Sequence, residues 1–166
     1  MLTDKNLQRF FLLVACAALF IVASGLALPP IVASHFAAGG VANGHMARAV
    51  YIAFMLCFVI VLPVAMVLLT WRSLERPGAR INLPHRDYWL APERRSQTIA
   101  RIRAGMLHFA ALLLVFLCYA HALVVSANRA QPAHLDEGWF VAGLLVFLGA
   151  GLFWTLRFVR GFRRRG

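Results

Sequence analysis

The stretch AVYIAFMLCFVIVLPVAMVLLT, residues 49–70, decides the fold of this chain, because it runs for 22 residues without a charged side chain. A helix rises about 1.5 Å per residue, so about 20 apolar residues cross the ~30 Å hydrocarbon core of a bilayer. Three further apolar stretches of similar length occupy residues 10–28, 105–126 and 139–158. The sequence therefore predicts four membrane-spanning helices.

Composition agrees with a membrane protein. Hydrophobic residues make up 61% of the 166 residues, and the mean hydropathy is +0.74, whereas soluble domains use roughly half apolar residues. Four spans and three connections occupy the whole chain, so we predict one domain, residues 1–166. We expect it to be all-α, an integral membrane antiparallel four-helix bundle. Because catalytic motifs and charged groups at membrane depth are absent, we predict that it is not an enzyme.

The distribution of positive charge predicts the orientation. Of the 17 Lys and Arg residues, 15 fall in the N-terminus, in residues 72–103 and in the tail 157–165, and the other two are Arg48 and Arg129. The positive-inside rule then predicts that both termini and the loop 71–104 are cytoplasmic and that residues 29–48 form an outer loop. The net charge of +11 is explained by anionic lipid headgroups rather than by nucleic acid. We expect a multi-pass protein of the bacterial inner membrane.

Smaller signals predict the element ends. Pro29 and Pro30 are expected to end the first helix at Leu28, and the long first apolar run favours a retained anchor over a cleaved signal peptide. Pro92 followed by Glu93 predicts a helix start that leads into the third span.

Small residues such as Gly143 and Gly151 are expected at helix contacts, since they let backbones approach in lipid. Cys16, Cys57 and Cys118 lie inside three of the predicted spans, and we expect no disulfide and no reactive thiol.

Two stretches carry a resemblance. Residues 28–44, with Leu28-Pro29-Pro30-Ile31, His35-Phe36, Gly39-Gly40 and Gly44, are similar to an LPxxIPxHF…G…G segment, although Ala33 replaces its second proline. Residues 82–94, NLPHRDYWLAPER, are similar to an NLPNRDYWLAPER loop. Over about residues 10–95 the chain thus resembles the SdpI-like and related bacterial multi-pass membrane proteins of unknown function. This resemblance implies a non-enzymatic protein that binds a peptide or membrane-protein partner in immunity or stress signalling.

The resemblance also implies that the outer loop carries recognition of the partner. In the cytoplasmic loop, residues 86–89 place a charge pair beside two aromatic side chains at the membrane face. This cluster is interpreted either as a docking site for a membrane partner or as an anchor at the lipid headgroups. The partners expected are the lipid bilayer, a membrane protein or peptide, and a second copy of the chain. The candidate partner-binding residues are Pro29, Pro30, His35, Phe36, Gly39, Gly44, Arg86, Asp87, Tyr88 and Trp89.

Histidines are the main candidates for metal or cofactor chemistry. On the outer side His35, His45 and His134, together with Asp136 and Glu137, are weak metal candidates, because the histidine spacing forms no HxH or HxxxH pair. His108 and His121 lie 13 residues apart in the third span, a separation of nearly 20 Å along a helix that resembles the ligands of stacked haems. The other spans contain no histidine, and although Cys or Met could supply a second axial ligand, we predict no cofactor. Both histidines are expected to be interfacial or hydrogen-bonded instead. The alternative function is an accessory or cofactor-binding subunit of a larger membrane complex.

Overall fold

The computed structural model of the protein describes residues 5–76 and 81–163. Four long helices dominate this structure, with a two-stranded hairpin after the first and a short helix after the second. We call the end of the molecule with the strands the hairpin end, and the end where the first helix begins the terminal end. The elements are α1 (Lys5–Gly25), β1 (Ile31–Phe36), β2 (Ala42–Ala47), α2 (Arg48–Glu75), α3 (Arg86–Trp89), α4 (Pro92–Ala127) and α5 (Glu137–Arg163).

Four long helices lie where the four spans were predicted. They contain 21, 28, 36 and 27 residues, and each is long and apolar enough to cross a membrane. Large apolar side chains cover much of their outer surface, including Leu19, Leu69 and Val146. In a soluble protein such a surface would aggregate, whereas in a bilayer it faces acyl chains. Length and composition therefore indicate a multi-pass membrane protein.

The bundle is less symmetric than predicted. Helices α1, α2 and α4 pack against one another around a core that includes Ile21, Val59 and Leu114, each at most 1% exposed. Helix α5 packs mainly against α4, and Phe162 is its one buried residue within the part described. The four-helix bundle is thus a three-helix core with a peripheral fourth helix.

The all-α prediction is wrong in one element, because residues 31–47 of the predicted outer loop form an antiparallel hairpin. Val32 pairs with Met46 and Ala33 with His45. The turn between the strands contains Gly39 and Gly40, whose φ angles are +82° and +72°, a conformation that glycine adopts without a steric penalty. β-branched residues at Ile31 and Val32 also favour a strand, although the run is short.

Several predicted helix bounds are also corrected. Helix α1 ends at Gly25, three residues before Leu28, where a Cβ at Gly25 would lie 2.7 Å from Ile52 Cγ1. The predicted helix start at Pro92 is confirmed. It begins one continuous helix that includes the whole third span, so residues 92–103 extend α4. Helix α2 continues through the buried Pro63 to Glu75. Both ends of the predicted loop 71–104 are therefore helical.

The small residues are placed only partly as predicted. Gly143 is a helix contact, since a Cβ there would lie 2.0 Å from Tyr119 Cε1. A Cβ at Gly151 would make only ordinary contact, 3.8 Å from Phe109. The three cysteines are free, and Cys16 and Cys57 lie on the outer surface of the bundle.

Candidate functional site

Asn128 attaches the hairpin to the helical bundle. It caps the C-terminus of α4, and its side-chain amide bonds both backbone groups of Ala33. The Ala33 N–H donates to Oδ1 at 2.8 Å, and Nδ2 donates to the Ala33 carbonyl at 2.9 Å. Nδ2 also donates to the Val124 carbonyl at 2.9 Å. The amide thus occupies the edge of β1 as a neighbouring strand would, and it joins β1 directly to α4.

The turn of the hairpin is held by the connection between α4 and α5. The Gly39 N–H donates to Glu137 Oε1 at 2.7 Å, and the Leu135 N–H donates to the Gly40 carbonyl at 2.8 Å. Gly40 must remain glycine, because a Cβ there would lie 2.0 Å from the Leu135 carbonyl oxygen. The hydrogen bond between Gly39 and Glu137 therefore gives both residues a structural role. For Glu137, the sequence did not indicate this role.

Arg48 supplies a third attachment. Its Nη1 donates to the Leu26 and Leu28 carbonyls at 3.1 and 2.9 Å, and its backbone N–H donates to the Pro30 carbonyl at 2.9 Å. These carbonyls follow the end of α1, where helical partners are missing. Arg48 therefore fixes the path of the chain between α1 and β1. The hairpin is held at β1, at its turn and at its base.

The outward face of β2 is the exposed surface of the hairpin. Burial alternates along the strand: Ala42, Gly44 and Met46 are half-buried, and Asn43, His45 and Ala47 are exposed. Met46 packs against the core. Because strand side chains point to opposite sides in turn, one face of β2 rests on the bundle and the other is free. We call Asn43, His45 and Ala47 the β2 outward face.

The candidate residues of the outer loop divide between exposed positions and the framework of the hairpin. Pro29, Pro30 and His35 are exposed, whereas Phe36 and Gly44 are half-buried. A Cβ at Gly44 would lie 3.0 Å from the His35 Cβ, so Gly44 accommodates the His35 side chain. Asn43 was missed by sequence reasoning; strand alternation across residues 42–47 is the signal that could have identified it.

The three metal candidates are not assembled into a site. His35 Nδ1 lies 3.0 Å from Ser34 Oγ, and His45 pairs across the strands with Ala33. His134 forms an isolated backbone β-bridge with Val41 beside the turn. Among residues 5–76 and 81–163, no group of three His, Cys, Asp or Glu side chains could hold a metal ion. His35 and His45 remain candidates for polar recognition rather than for metal binding.

A buried polar network lies below the hairpin. His121 is fully buried, with Nε2 2.8 Å from Ser24 Oγ and Nδ1 2.9 Å from the Tyr51 hydroxyl. Ser24 Oγ also donates to the Phe20 carbonyl at 2.5 Å. Because a carbonyl oxygen only accepts hydrogen bonds, the Ser24 hydroxyl proton is directed to the Phe20 carbonyl. His121 Nε2 therefore donates to Ser24 Oγ, and the Tyr51 hydroxyl donates to His121 Nδ1. This network joins α1, α2 and α4, and it confirms that His121 is hydrogen-bonded.

His121 consequently has no free nitrogen for a haem iron, because both ring nitrogens are engaged. His108 differs: it is exposed at the terminal end, and its Nδ1 lies 2.7 Å from the Ala104 carbonyl. The two histidines lie on one helix but in unlike surroundings. Sequence spacing alone could not separate them, since Ser24 and Tyr51 reach His121 only through helix packing.

The aromatic motif at the terminal end is largely part of the fold. Trp89 Nε1 donates to the Phe162 carbonyl at 2.7 Å, and Thr98 Oγ1 donates to the Trp89 carbonyl at 2.8 Å. The Arg94 guanidinium lies over the Tyr88 ring at 4.1 Å. Of the four candidate partner-binding residues 86–89, Tyr88 and Trp89 are half-buried, whereas Arg86 and Asp87 are exposed.

Comparison with protein-family models, with curated proteins and with solved structures finds no match for this chain.

Proposed function

We propose that the protein is a non-enzymatic multi-pass membrane protein that recognises a peptide or membrane-protein partner through the hairpin. The observation that carries this proposal is the β2 outward face. Every second side chain of β2 is exposed, on a hairpin that is held at three points by Asn128, Glu137 and Arg48. A surface that is already ordered loses little conformational entropy on binding, which favours recognition.

The proposed ligand chemistry follows from the exposed groups. Asn43 offers an amide, His35 and His45 offer imidazoles, and Val41 is 61% exposed at the turn. This surface combines hydrogen-bonding groups with a small apolar contact, and it has no charged residue on β2. Such a mixture suits a peptide segment that presents both backbone amides and apolar side chains.

The buried network supports a non-enzymatic role. A serine beside a histidine suggests a nucleophile, but here the Ser24 proton is directed to the Phe20 carbonyl. His121 Nε2 then donates to Ser24 and cannot act as the base that activates it. We assign the network to the packing of α1, α2 and α4.

The orientation remains part of the proposal. We infer from the positive charges that the hairpin lies on the outer side of the membrane and that both termini are cytoplasmic. The role in immunity or stress signalling rests on the resemblance to SdpI-like proteins in residues 28–44 and 82–94. The alternative, an accessory subunit of a larger complex, is favoured by the peripheral α5, whose span is apolar and without buried residues. Lipid contact alone also accounts for that face.

The test is a complementation experiment in the bacterial host. A strain that lacks the gene is challenged with a panel of membrane-active peptides and complemented with the wild type, with an Asn43→Ala/His45→Ala variant, or with Arg129→Ala. Arg129 is exposed at the same end of the molecule but outside the hairpin. We expect the wild type and Arg129→Ala to restore resistance, and the hairpin variant to fail at an equal level in the membrane. Unchanged sensitivity of the deletion strain across the panel would remove the immunity role.

A further inference from the structure

A cleft between α1 and α4 at the terminal end combines polar and apolar walls. It encloses about 210 Å³, with Asn6, Arg9 and His108 among its polar lining residues and Phe10, Leu13 and Leu107 among its apolar ones. Two helices contribute to it, so its shape depends on their packing rather than on a single side chain. The proposed recognition at the hairpin, at the other end of the bundle, leaves this cleft unexplained.

Arg9 gives the cleft a fixed positive charge. Its side chain is exposed, and within the described part of the chain it makes no ion pair. A guanidinium presents five N–H donors in a planar fork that matches the oxygens of a phosphate. Arg9 therefore favours an anionic ligand with several acceptor oxygens.

His108 adds a group of the opposite hydrogen-bonding character. Its Nδ1 lies 2.7 Å from the Ala104 carbonyl oxygen, which can only accept, so Nδ1 carries the proton. The neutral ring then has an acceptor at Nε2, and that nitrogen makes no hydrogen bond within the described residues. A ligand group that carries a hydroxyl proton would complement Nε2.

The cleft also lies at a defined depth. Arg9 immediately precedes the apolar run of α1, and His108 lies three residues, about 4.5 Å, inside the apolar run of α4 that starts at Gly105. Polar groups at the boundary of an apolar run lie near the headgroups when such helices cross a bilayer. Phe10, Leu13 and Leu107 then adjoin the start of the acyl chains.

We propose that this cleft binds an anionic glycerophospholipid of the phosphatidylglycerol class. The phosphate accepts hydrogen bonds from Arg9, a headgroup hydroxyl donates to His108 Nε2, and the first acyl methylenes contact Phe10, Leu13 and Leu107. A phosphodiester anion carries only acceptors, which matches Arg9 but not Nε2, so the hydroxyl is required to satisfy both. Phosphatidylcholine lacks the net charge and the hydroxyl, and phosphatidylethanol has the charge without the hydroxyl.

The experiment measures lipid binding to the purified full-length protein by native mass spectrometry. The probes are phosphatidylglycerol, phosphatidylethanol and phosphatidylcholine, each titrated into detergent micelles. We expect the wild type to bind phosphatidylglycerol most tightly and phosphatidylcholine most weakly. Arg9→Gln should weaken phosphatidylglycerol binding about tenfold or more, since it removes a charge-assisted hydrogen bond. Arg129→Gln, which removes one exposed arginine at the hairpin end, should leave the binding unchanged.

Variants of His108 test the hydroxyl contact independently. His108→Phe should abolish the preference for phosphatidylglycerol over phosphatidylethanol, and His108→Gln, which retains an acceptor, should keep it. The proposal is overturned by equal binding of the three lipids, by equal losses in Arg9→Gln and Arg129→Gln, or by a preference that survives His108→Phe. Displacement of the lipid by millimolar glycerol 3-phosphate would likewise overturn it, because the ligand would then be a soluble phosphate.

Discussion

Replacing Asn128 by alanine should detach β1 from α4. The substitution removes three hydrogen bonds and leaves the N–H and C=O of Ala33 without partners. Ala33 is 2% exposed, so water cannot easily replace the lost amide. An unsatisfied buried polar group costs about 1–3 kcal/mol, and two such groups at Ala33 give an expected loss of about 2–6 kcal/mol in local stability.

Hydrogen exchange of the Ala33 amide, followed by NMR in micelles, measures this loss where it occurs. A change of about 2 kcal/mol corresponds to roughly 30-fold faster exchange when the amide exchanges by local opening. Asn43→Ala is the matched control, because Asn43 is exposed and its side chain makes no hydrogen bond within the described residues. Asn128→Asp should not rescue, since a carboxylate retains the acceptor for the Ala33 N–H but cannot donate to its carbonyl.

The result that would refute this reasoning is a small or nonspecific change. If Asn128→Ala accelerated Ala33 exchange less than about threefold, the side-chain amide would not be what holds β1 to the bundle. An equal acceleration in Asn43→Ala would show that the hairpin responds to any loss of an amide. Either outcome would also weaken the proposal that the hairpin is a pre-ordered recognition surface.

Three further predictions concern the turn, the buried network and the orientation. Gly40→Ala should destabilise the hairpin by more than Gly39→Ala, because both glycines have positive φ but only at Gly40 would the new Cβ meet the Leu135 carbonyl. The Ala33 exchange assay compares the two variants, and equal effects would contradict the tight contact at Gly40. Tyr51→Phe should cost about 1–2 kcal/mol in detergent-unfolding experiments, because it leaves His121 Nδ1 unsatisfied, and a loss below measurement error would remove the network from the core. A reporter inserted in the turn between the strands should respond as an outer segment and one fused to the carboxyl terminus as a cytoplasmic segment; the reverse pattern would invert the proposed orientation.

Local pattern was sufficient for the number of long apolar helices. A run such as residues 49–70 has no soluble alternative, because about 20 successive apolar residues satisfy their backbone in lipid only as a helix. Pro92 predicted a helix start correctly for a similarly local reason, since proline lacks the N–H that the first turn leaves unused. The hairpin was missed because its strands are short and the composition of residues 29–48 resembles a turn-rich loop. Its attachments come largely from distant parts of the chain; Asn128, for example, lies 95 residues from Ala33.

By itself, the sequence determined the length, the apolar character and the charge bias of the spans, because these depend on residues that are neighbours along the chain. Tertiary structure alone decided that α5 is peripheral, that Ser24 and Tyr51 enclose His121, and that Arg9 meets His108 in one cleft. The membrane-spanning segments are apolar on nearly all sides, so composition does not mark which face meets another helix and which meets lipid. Those choices depend on the fit of side chains from distant parts of the chain, such as Tyr119 against Gly143.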